Sequence, residues 1–385
     1  MNLLKNKRLA LFFTFGLSLK DWHDRGIINR EVALYNELSK YFDKIYFFTY
    51  GNHNDFKFHQ YLKDNITIVP ITSFYSKISK IPPSIKLMYS LFLPIIHCRI
   101  LRNVNILKTN QMMGAWAAII AKLFYRKKLI IRQGFQLSLF LRKQNTNLMV
   151  RFFVWLLELF SYHFANKIIV TSLNSKKYIT HRYRINQNKI IVIPNYVDTN
   201  SFKPFNKVNK DYKRIIFVGR LAPEKNVFSL IDAVKGLDVK LIIIGDGPLR
   251  EKLMEKVKME KINNVEFLGI IPNEKLPFEL NKSVLFILPS LHEDNPKALL
   301  EAMACGLPVI GTAIEGIKEL IKHKENGYLC GTDINSISNA IIALMQDEKL
   351  RKKLSSNARR FIEENFSLKK IVEMELKIYS NLLCE

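Results

Sequence analysis

Two rhythms of apolar and polar residues alternate along this chain. Short, wholly apolar runs are bounded by turn residues, and between them lie longer stretches with apolar positions three and four apart. The short runs predict strands at Lys7 to Phe15, Ile45 to Tyr50, Ile66 to Ile71, Ile106 to Thr109, Lys128 to Arg132 and Lys167 to Thr171. The periodic stretches predict helices at Ile27 to Tyr41, Ala115 to Tyr125 and Leu148 to Phe164, with Gly16 to Asp24 as a loop after the first strand. Strands alternating with helices imply an α/β chain with a parallel, doubly wound sheet. A polar segment rich in Lys and Asn, Ser201 to Asp211, interrupts the pattern and reads as a linker. The alternation then resumes, with strands from Arg214, at Lys240 to Ile244 and at Val265 to Gly269, and a helix at Val227 to Lys235. It closes on three periodic helices, Ser336 to Gln346, Glu348 to Asn365 and Leu368 to Leu383.

With 385 residues the chain exceeds one ordinary core, so two domains are expected. Cys98, Cys305, Cys330 and Cys384 show no paired spacing, which argues against a metal site or a disulfide framework and for a reducing, cytoplasmic compartment. The longest apolar runs, Leu87 to Ile96 and Val150 to Phe160, are shorter than a membrane span. The net charge of +25 is concentrated in residues 1–200, and no acidic residue occurs between Asp64 and Glu158. Fourteen basic residues lie there, interleaved with aromatic and aliphatic ones. Such a surface seeks anions. No nucleic-acid-binding module is present, and an anionic membrane face is the partner this pattern favours, with nucleic acid as the competing reading.

The stretch Leu285 to Ile310 organises the second half, reading strand, loop, helix, turn, strand. Asn295 is suited to cap the helix, Pro296 to open it, and Gly306 to end it before Pro308. Glu293 then lies on the loop and Glu301 within the helix. Each carboxylate can accept two hydrogen bonds from a vicinal diol, and the helix N-terminus between them suits a phosphate. Diols plus phosphate point to a nucleotide-sugar. Upstream, a strand ending at Gly219 delivers Arg220 and Lys225 to one loop, where a guanidinium fork and an ammonium suit a diphosphate. Gly245, Asp246 and Gly247 read as a backbone turn rather than a phosphate cradle.

Glu293 and Glu301, separated by seven residues and followed by the run Ala302 to Ile310, resemble the donor-site signature of the family 4 glycosyltransferases, which are retaining enzymes of the GT-B fold. Gly219 to Asn226 resembles their diphosphate motif, Pro194 to Asp198 their crossing segment, and Gly316 to Glu319 their glycine turn. The resemblance implies two Rossmann-like doubly wound domains facing across a cleft. Residues 1–198 would form an acceptor-binding domain, 199–212 the linker, 213–366 the nucleotide-sugar domain, and 367–385 a helix returning to the first domain. Arg220, Lys225 and Glu293 would be catalytic. The donor would be held by these three with Asn295, Pro296, Lys297, Ala298 and Glu301, the last on the ribose diol, and by main chain near Ile271 and Pro272 on the base.

The implied function is transfer of a hexose-type sugar from a UDP- or GDP-linked donor to a lipid-linked or cell-surface glycan acceptor, at the inner face of the cell membrane. No cofactor is expected, and the lack of an Asp-x-Asp pair implies metal-independent chemistry. The first half departs from the pattern. A single Gly16 replaces a paired glycine, and the strand end at Arg132 and Gln133 lacks a histidine, so Arg132, Gln133 and Gln111 are the sugar-proximal candidates. A non-catalytic nucleotide-sugar-binding subunit and a nucleotide-sugar 2-epimerase are the alternatives on the same scaffold.

Overall fold

The computed structural model describes residues 4–71, 81–143 and 146–384. The chain divides into two compact units, Met1–Pro194 with Val372–Glu385, and Asn195–Ile371. In the first, β1 (Arg8–Phe12), β2 (Lys44–Phe48), β3 (Ile66–Val69), β4 (Ile106–Thr109), β5 (Lys128–Gln133), β6 (Lys167–Val170) and β7 (Ile190–Val192) form one sheet. Its order is β3-β2-β1-β4-β5-β6-β7. In the second, β8 (Arg214–Val218), β9 (Lys240–Ile244), β10 (Val265–Gly269), β11 (Leu285–Leu288), β12 (Val309–Thr312) and β13 (Tyr328–Cys330) are ordered β10-β9-β8-β11-β12-β13. Neighbouring strands pair in parallel, as in Leu9 with Ile45 and Ile106, and Leu285 with Ile215. Parallel strands are covered on both faces, which is why their sequences are apolar runs without alternation. Ile215, Ile216 and Phe217 of β8 and all of β11 are buried.

The helices used below are α1 (Pro83–Ile96), α2 (Ala115–Tyr125), α3 (Leu148–Phe164), α4 (Val227–Val234), α5 (Lys297–Ala304) and α6 (Leu368–Cys384). Two local expectations need correction. The segment read as a loop contains a helix at Leu19–Asp24, closed by a capping box in which the Ser18 hydroxyl accepts from Asp21 N (3.2 Å) and the Asp21 carboxylate accepts from Ser18 N (2.8 Å). It is too short to show a period. α1 escaped as a helix because it is apolar nearly all round and so carries no stripe.

The unit boundary also moves. The expected linker, 199–212, is packed onto the second unit, which begins at Asn195 rather than after the linker. Val197 pairs in parallel with Ser367, Val197 N donates to Phe366 O (2.9 Å), and Leu368 N donates to Val197 O (2.9 Å). The Arg359 guanidinium donates to the carbonyls of Phe202 (2.5 Å) and Thr199 (3.1 Å), and Phe205 N to Asn281 Oδ1 (2.8 Å). A polar composition fits the exposure of most of this segment, whose backbone is nonetheless bonded to the second unit at Thr199, Phe202, Phe205 and Asp211.

Candidate donor site

In the second sheet, β8 pairs with β9 on one side and β11 on the other, so the strand order reverses at the β8/β11 pair. Ligands of open α/β sheets bind at the carboxyl ends of strands at such a switch point. The loop after β8 carries Arg220 and Lys225, and the loop after β11 carries Glu293 and Asn295. One backbone bond and one side-chain bond fasten the two loops together: Leu291 N donates to Glu224 O (2.8 Å), and Asn226 Nδ2 to Pro289 O (3.2 Å). Lys225 Nζ therefore reaches Glu293 Oε1 as an ion pair, and Ser290 Oγ donates to the same oxygen at 2.8 Å. Both side chains are mostly buried, 17% and 10% exposed. Arg220 stands exposed on the same loop. Asn226, at φ 54°, holds the left-handed turn that ends the Lys225 segment and leads into α4.

Glu301 is not a solvated helix residue. It is 2% exposed on α5, and its Oε1 accepts from Asn273 Nδ2 at 3.0 Å. The segment after β10, expected to hold a base, is thus tied to the carboxylate expected to hold a ribose. Asn273 was missed because an Asn in a loop carries no code for a partner so far along the chain. Burial, with the Glu301 charge added, pushes the Cys305 thiol well up, so Cys305 is an inert core thiol.

Asn295 departs from its expected role. α5 runs Lys297–Ala304 with Pro296 flanking it, and Asn295 does not cap. Its Oδ1 accepts from Asn195 N (2.9 Å) and its carbonyl from Asn195 Nδ2 (2.6 Å), two bonds from one donor residue that engage the side-chain oxygen in fixing the loop. Pro296, Lys297 and Ala298 lie at the opening of α5 beside Glu293, as their spacing requires.

Two glycines owe their identity to this site. A Cβ on Gly245 would stand 1.9 Å from the Gly219 carbonyl oxygen, so the turn after β9 packs directly beneath the Arg220 loop. A Cβ on Gly316 would stand 2.3 Å and 2.5 Å from the carbonyl oxygens of Glu293 and Asp294. Gly316→Ala must therefore displace the Glu293 loop. We expect about a tenfold rise in donor KM with little loss of folded protein, read from steady-state kinetics beside a thermal melt. An unchanged KM would mean that this loop does not position the donor.

The candidates in the first unit do not form one exposed constellation. Gly16, at φ +80° after β1, faces open space and its carbonyl accepts from Lys86 Nζ at 3.0 Å. Gln111 Oε1 accepts from Gly134 N at 2.8 Å, bracing the turn after β5. Arg132 is buried on β5, 7% exposed, and its charge acts on Glu375 in α6. Gln133 cannot serve as a sugar-proximal donor. It is 1% exposed, its Nε2 donates to Glu158 Oε1 (3.1 Å) and Gln136 Oε1 (3.2 Å), and its Oε1 accepts from Tyr162. Its amide is spent inside a buried network that also holds Tyr183 on Glu158. Among the described residues no group of three or more His, Cys, Asp and Glu side chains could hold a metal ion.

Residues 198–361 match the family model for glycosyl transferases group 1, and residues 32–201 that for glycosyltransferase family 4. An uncharacterized glycosyltransferase of Methanocaldococcus jannaschii is 30% identical over 236 residues, 57% of this chain and 67% of that protein. The chain belongs to the family 4 glycosyltransferases. An Escherichia coli UDP-Gal:alpha-D-GlcNAc-diphosphoundecaprenol alpha-1,3-galactosyltransferase is 31% identical over 247 residues, 59% of this chain and 63% of its own length. The family member described here thus spans about two thirds or somewhat less of these relatives. Its fold is GT-B: the crystal structure of Anabaena HepE in complex with UDP superposes with a TM-score of 0.75 at 18% identity, covering 97% of this chain and 100% of the other.

Proposed function

We propose that this family 4 glycosyltransferase moves a hexose-type sugar, with retention at the anomeric carbon and without a metal, from a UDP- or GDP-linked donor to a lipid-linked or cell-surface glycan acceptor. The setting is the inner face of a membrane, in polysaccharide assembly. The observation that carries this reading is the meeting of Lys225 with Glu293 at the switch point of the second sheet, with a further carboxylate, Glu301, buried on the helix that follows. Breaking the bond to a nucleoside diphosphate leaves negative charge on the departing phosphate while positive charge grows on the sugar. Lys225, Arg220 and the opening turn of α5 act on the first, and Glu293 holds sugar hydroxyls. Glu301 accepts the ribose diol. The departing phosphate helps take the acceptor proton, so no dedicated base is required. The Escherichia coli relative, whose name specifies a UDP-linked donor and a diphosphoundecaprenol-linked acceptor, favours UDP and a lipid-linked acceptor.

The test is thermal stabilisation by UDP, GDP and ADP. A nucleotide that binds only the folded protein adds about 2.7 kcal/mol at a hundred times its Kd. One nucleotide should stabilise the wild type, and Glu301→Ala should weaken it about tenfold to a hundredfold through the loss of charge-assisted bonds to the diol. Equal stabilisation of the two proteins would sink the ribose assignment. Donor turnover without any acceptor would instead favour the epimerase.

A further inference from the structure

Among the described residues, the first unit carries an apolar helical face that is left exposed. Tyr89 and Leu93 of α1 are buried, yet Leu87, Met88, Leu91, Phe92 and Ile95, at helical spacing on the other side, are 43% to 61% exposed. A helix resting on a sheet in water places polar residues there. α2 lies beside α1, with Tyr125 Oη donating to Pro94 O (2.7 Å) and Trp116 Nε1 to Ser90 Oγ (2.8 Å), and it adds exposed Leu123 and Phe124. α3 is fastened to α2 through Lys122 Nζ and Phe164 O (2.6 Å) and adds exposed Phe160. Scattered exposed apolar side chains need no explanation; a set spread over neighbouring helices calls for an occupant.

Charge selects the occupant. Of the 14 basic residues between Asp64 and Glu158, Lys77 and Lys80 lie outside the described residues, while Arg99, Arg102 and Arg126 are exposed just past the ends of α1 and α2. No acidic residue occurs in that stretch to offset them, and Glu158, which closes it, is fully buried. A second copy on this face would set cations against cations. An anionic bilayer supplies both halves of the match, acyl chains for the apolar ridge and phosphates for its cationic margin. Among the described residues no helix is long and apolar enough to cross a membrane, so the contact is one of lying on the surface.

We propose that α1 and the adjoining end of α2 form the docking surface for an anionic lipid bilayer, with Leu91 and Phe92 among the acyl chains and Arg99, Arg102 and Arg126 at the level of the phosphates. This deepens the membrane reading above and rests on it only for its biological purpose. The bond from Lys86 to the Gly16 carbonyl ties the loop after β1 to the docked helix. A lipid-linked acceptor would then meet that loop while still held in the bilayer.

The test is sedimentation of the full chain with vesicles of phosphatidylcholine alone and of phosphatidylcholine mixed with phosphatidylglycerol. The wild type should bind the mixed vesicles at least about tenfold more tightly, and added salt should reverse the difference. Leu91→Gln with Phe92→Gln, which leaves the charge unchanged, should cost about tenfold on the mixed vesicles. Arg99→Gln with Arg102→Gln should remove the preference for them. Equal binding to both vesicle types, or wild-type binding by the Leu91 and Phe92 variant, would overturn the proposal. So would a dimer in analytical ultracentrifugation that the same two substitutions dissolve, since it would give the face to a second copy. Vesicle binding is read without donor or acceptor, so its failure leaves the donor site standing. A failed nucleotide response likewise leaves vesicle binding readable.

Discussion

Lys225→Ala is expected to lower kcat for transfer by about 10²–10³, the usual loss when one preorganised donor to a developing anion is removed. The geometry gives the reason for so large an effect. Lys225 is not a loose surface ammonium awaiting a phosphate; Glu293, itself steadied by Ser290, holds it in place before any ligand arrives. A cation fixed in advance needs no reorganisation as charge builds on the leaving group. Arg220, exposed on the same loop, has no such anchor among the described residues, so Arg220→Ala should weaken donor binding more than it slows the chemical step. Single-turnover kinetics at saturating donor separate the two effects. A Lys225→Ala enzyme with wild-type kcat would remove Lys225 from the leaving-group role, whatever happened to KM.

Much of the candidate donor site was legible because its residues are local in sequence. Arg220 and Lys225 share one loop, and Glu293 and Glu301 share one loop-helix unit, so spacing alone placed them together. What spacing could not show is what fixes those loops. The two bonds that Asn195 donates to Asn295 join residues a hundred positions apart, and Asn273 reaches Glu301 from a different strand end. Side-chain amides pair with whatever the fold brings near, so neither had a local signal. Asn295 was taken for a cap because Asn favours that position, but its distant partner won. The first unit was harder for a related reason. Gln133 sits at a strand end, where a ligand residue would be sought, yet Glu158 and Tyr162 from α3 claim its amide. The period of α3 announced a helix, and nothing in it announced that Glu158 points inward. The strands that were read match to within a residue or two at most ends, since double burial leaves an apolar run that turn residues bound, whereas the three-residue edge strands β7 and β13 are too short to show one. A helix with no polar face, α1, carried no such mark.

Glu375→Leu is expected to cost about 3–5 kcal/mol of stability, the range for removing one partner of a buried ion pair. Lys108 on β4 and Glu375 on α6 are both fully buried and form an ion pair, with Tyr379 bonded to each: Lys108 Nζ donates to Tyr379 Oη at 2.9 Å, and Tyr379 donates to the Glu375 carboxylate. Burial pushes the Lys108 ammonium down to about 8 against the pull of Glu375. Burial opposes the charge on Glu375 as well, yet Lys108 and Arg132 together hold its carboxyl below the usual carboxylate range. Both groups are therefore charged at neutral pH, and Glu375→Leu strands Lys108 in the core with the Tyr379 hydroxyl and the Tyr35 ring beside it but no carboxylate. The companion variant, Lys108→Met with Glu375→Leu, removes both charges and should recover most of the loss, because well-packed apolar residues replace buried pairs at little cost. Urea denaturation of the two variants and the wild type measures the difference. If the single variant were as stable as the wild type, the pair would not hold α6 on the sheet. If the double variant were no better than the single, the loss would come from packing around Tyr379 rather than from the stranded charge. The pair spans 267 positions of sequence, so the strand Ile106–Thr109 carries no local sign that its lysine is buried and paired.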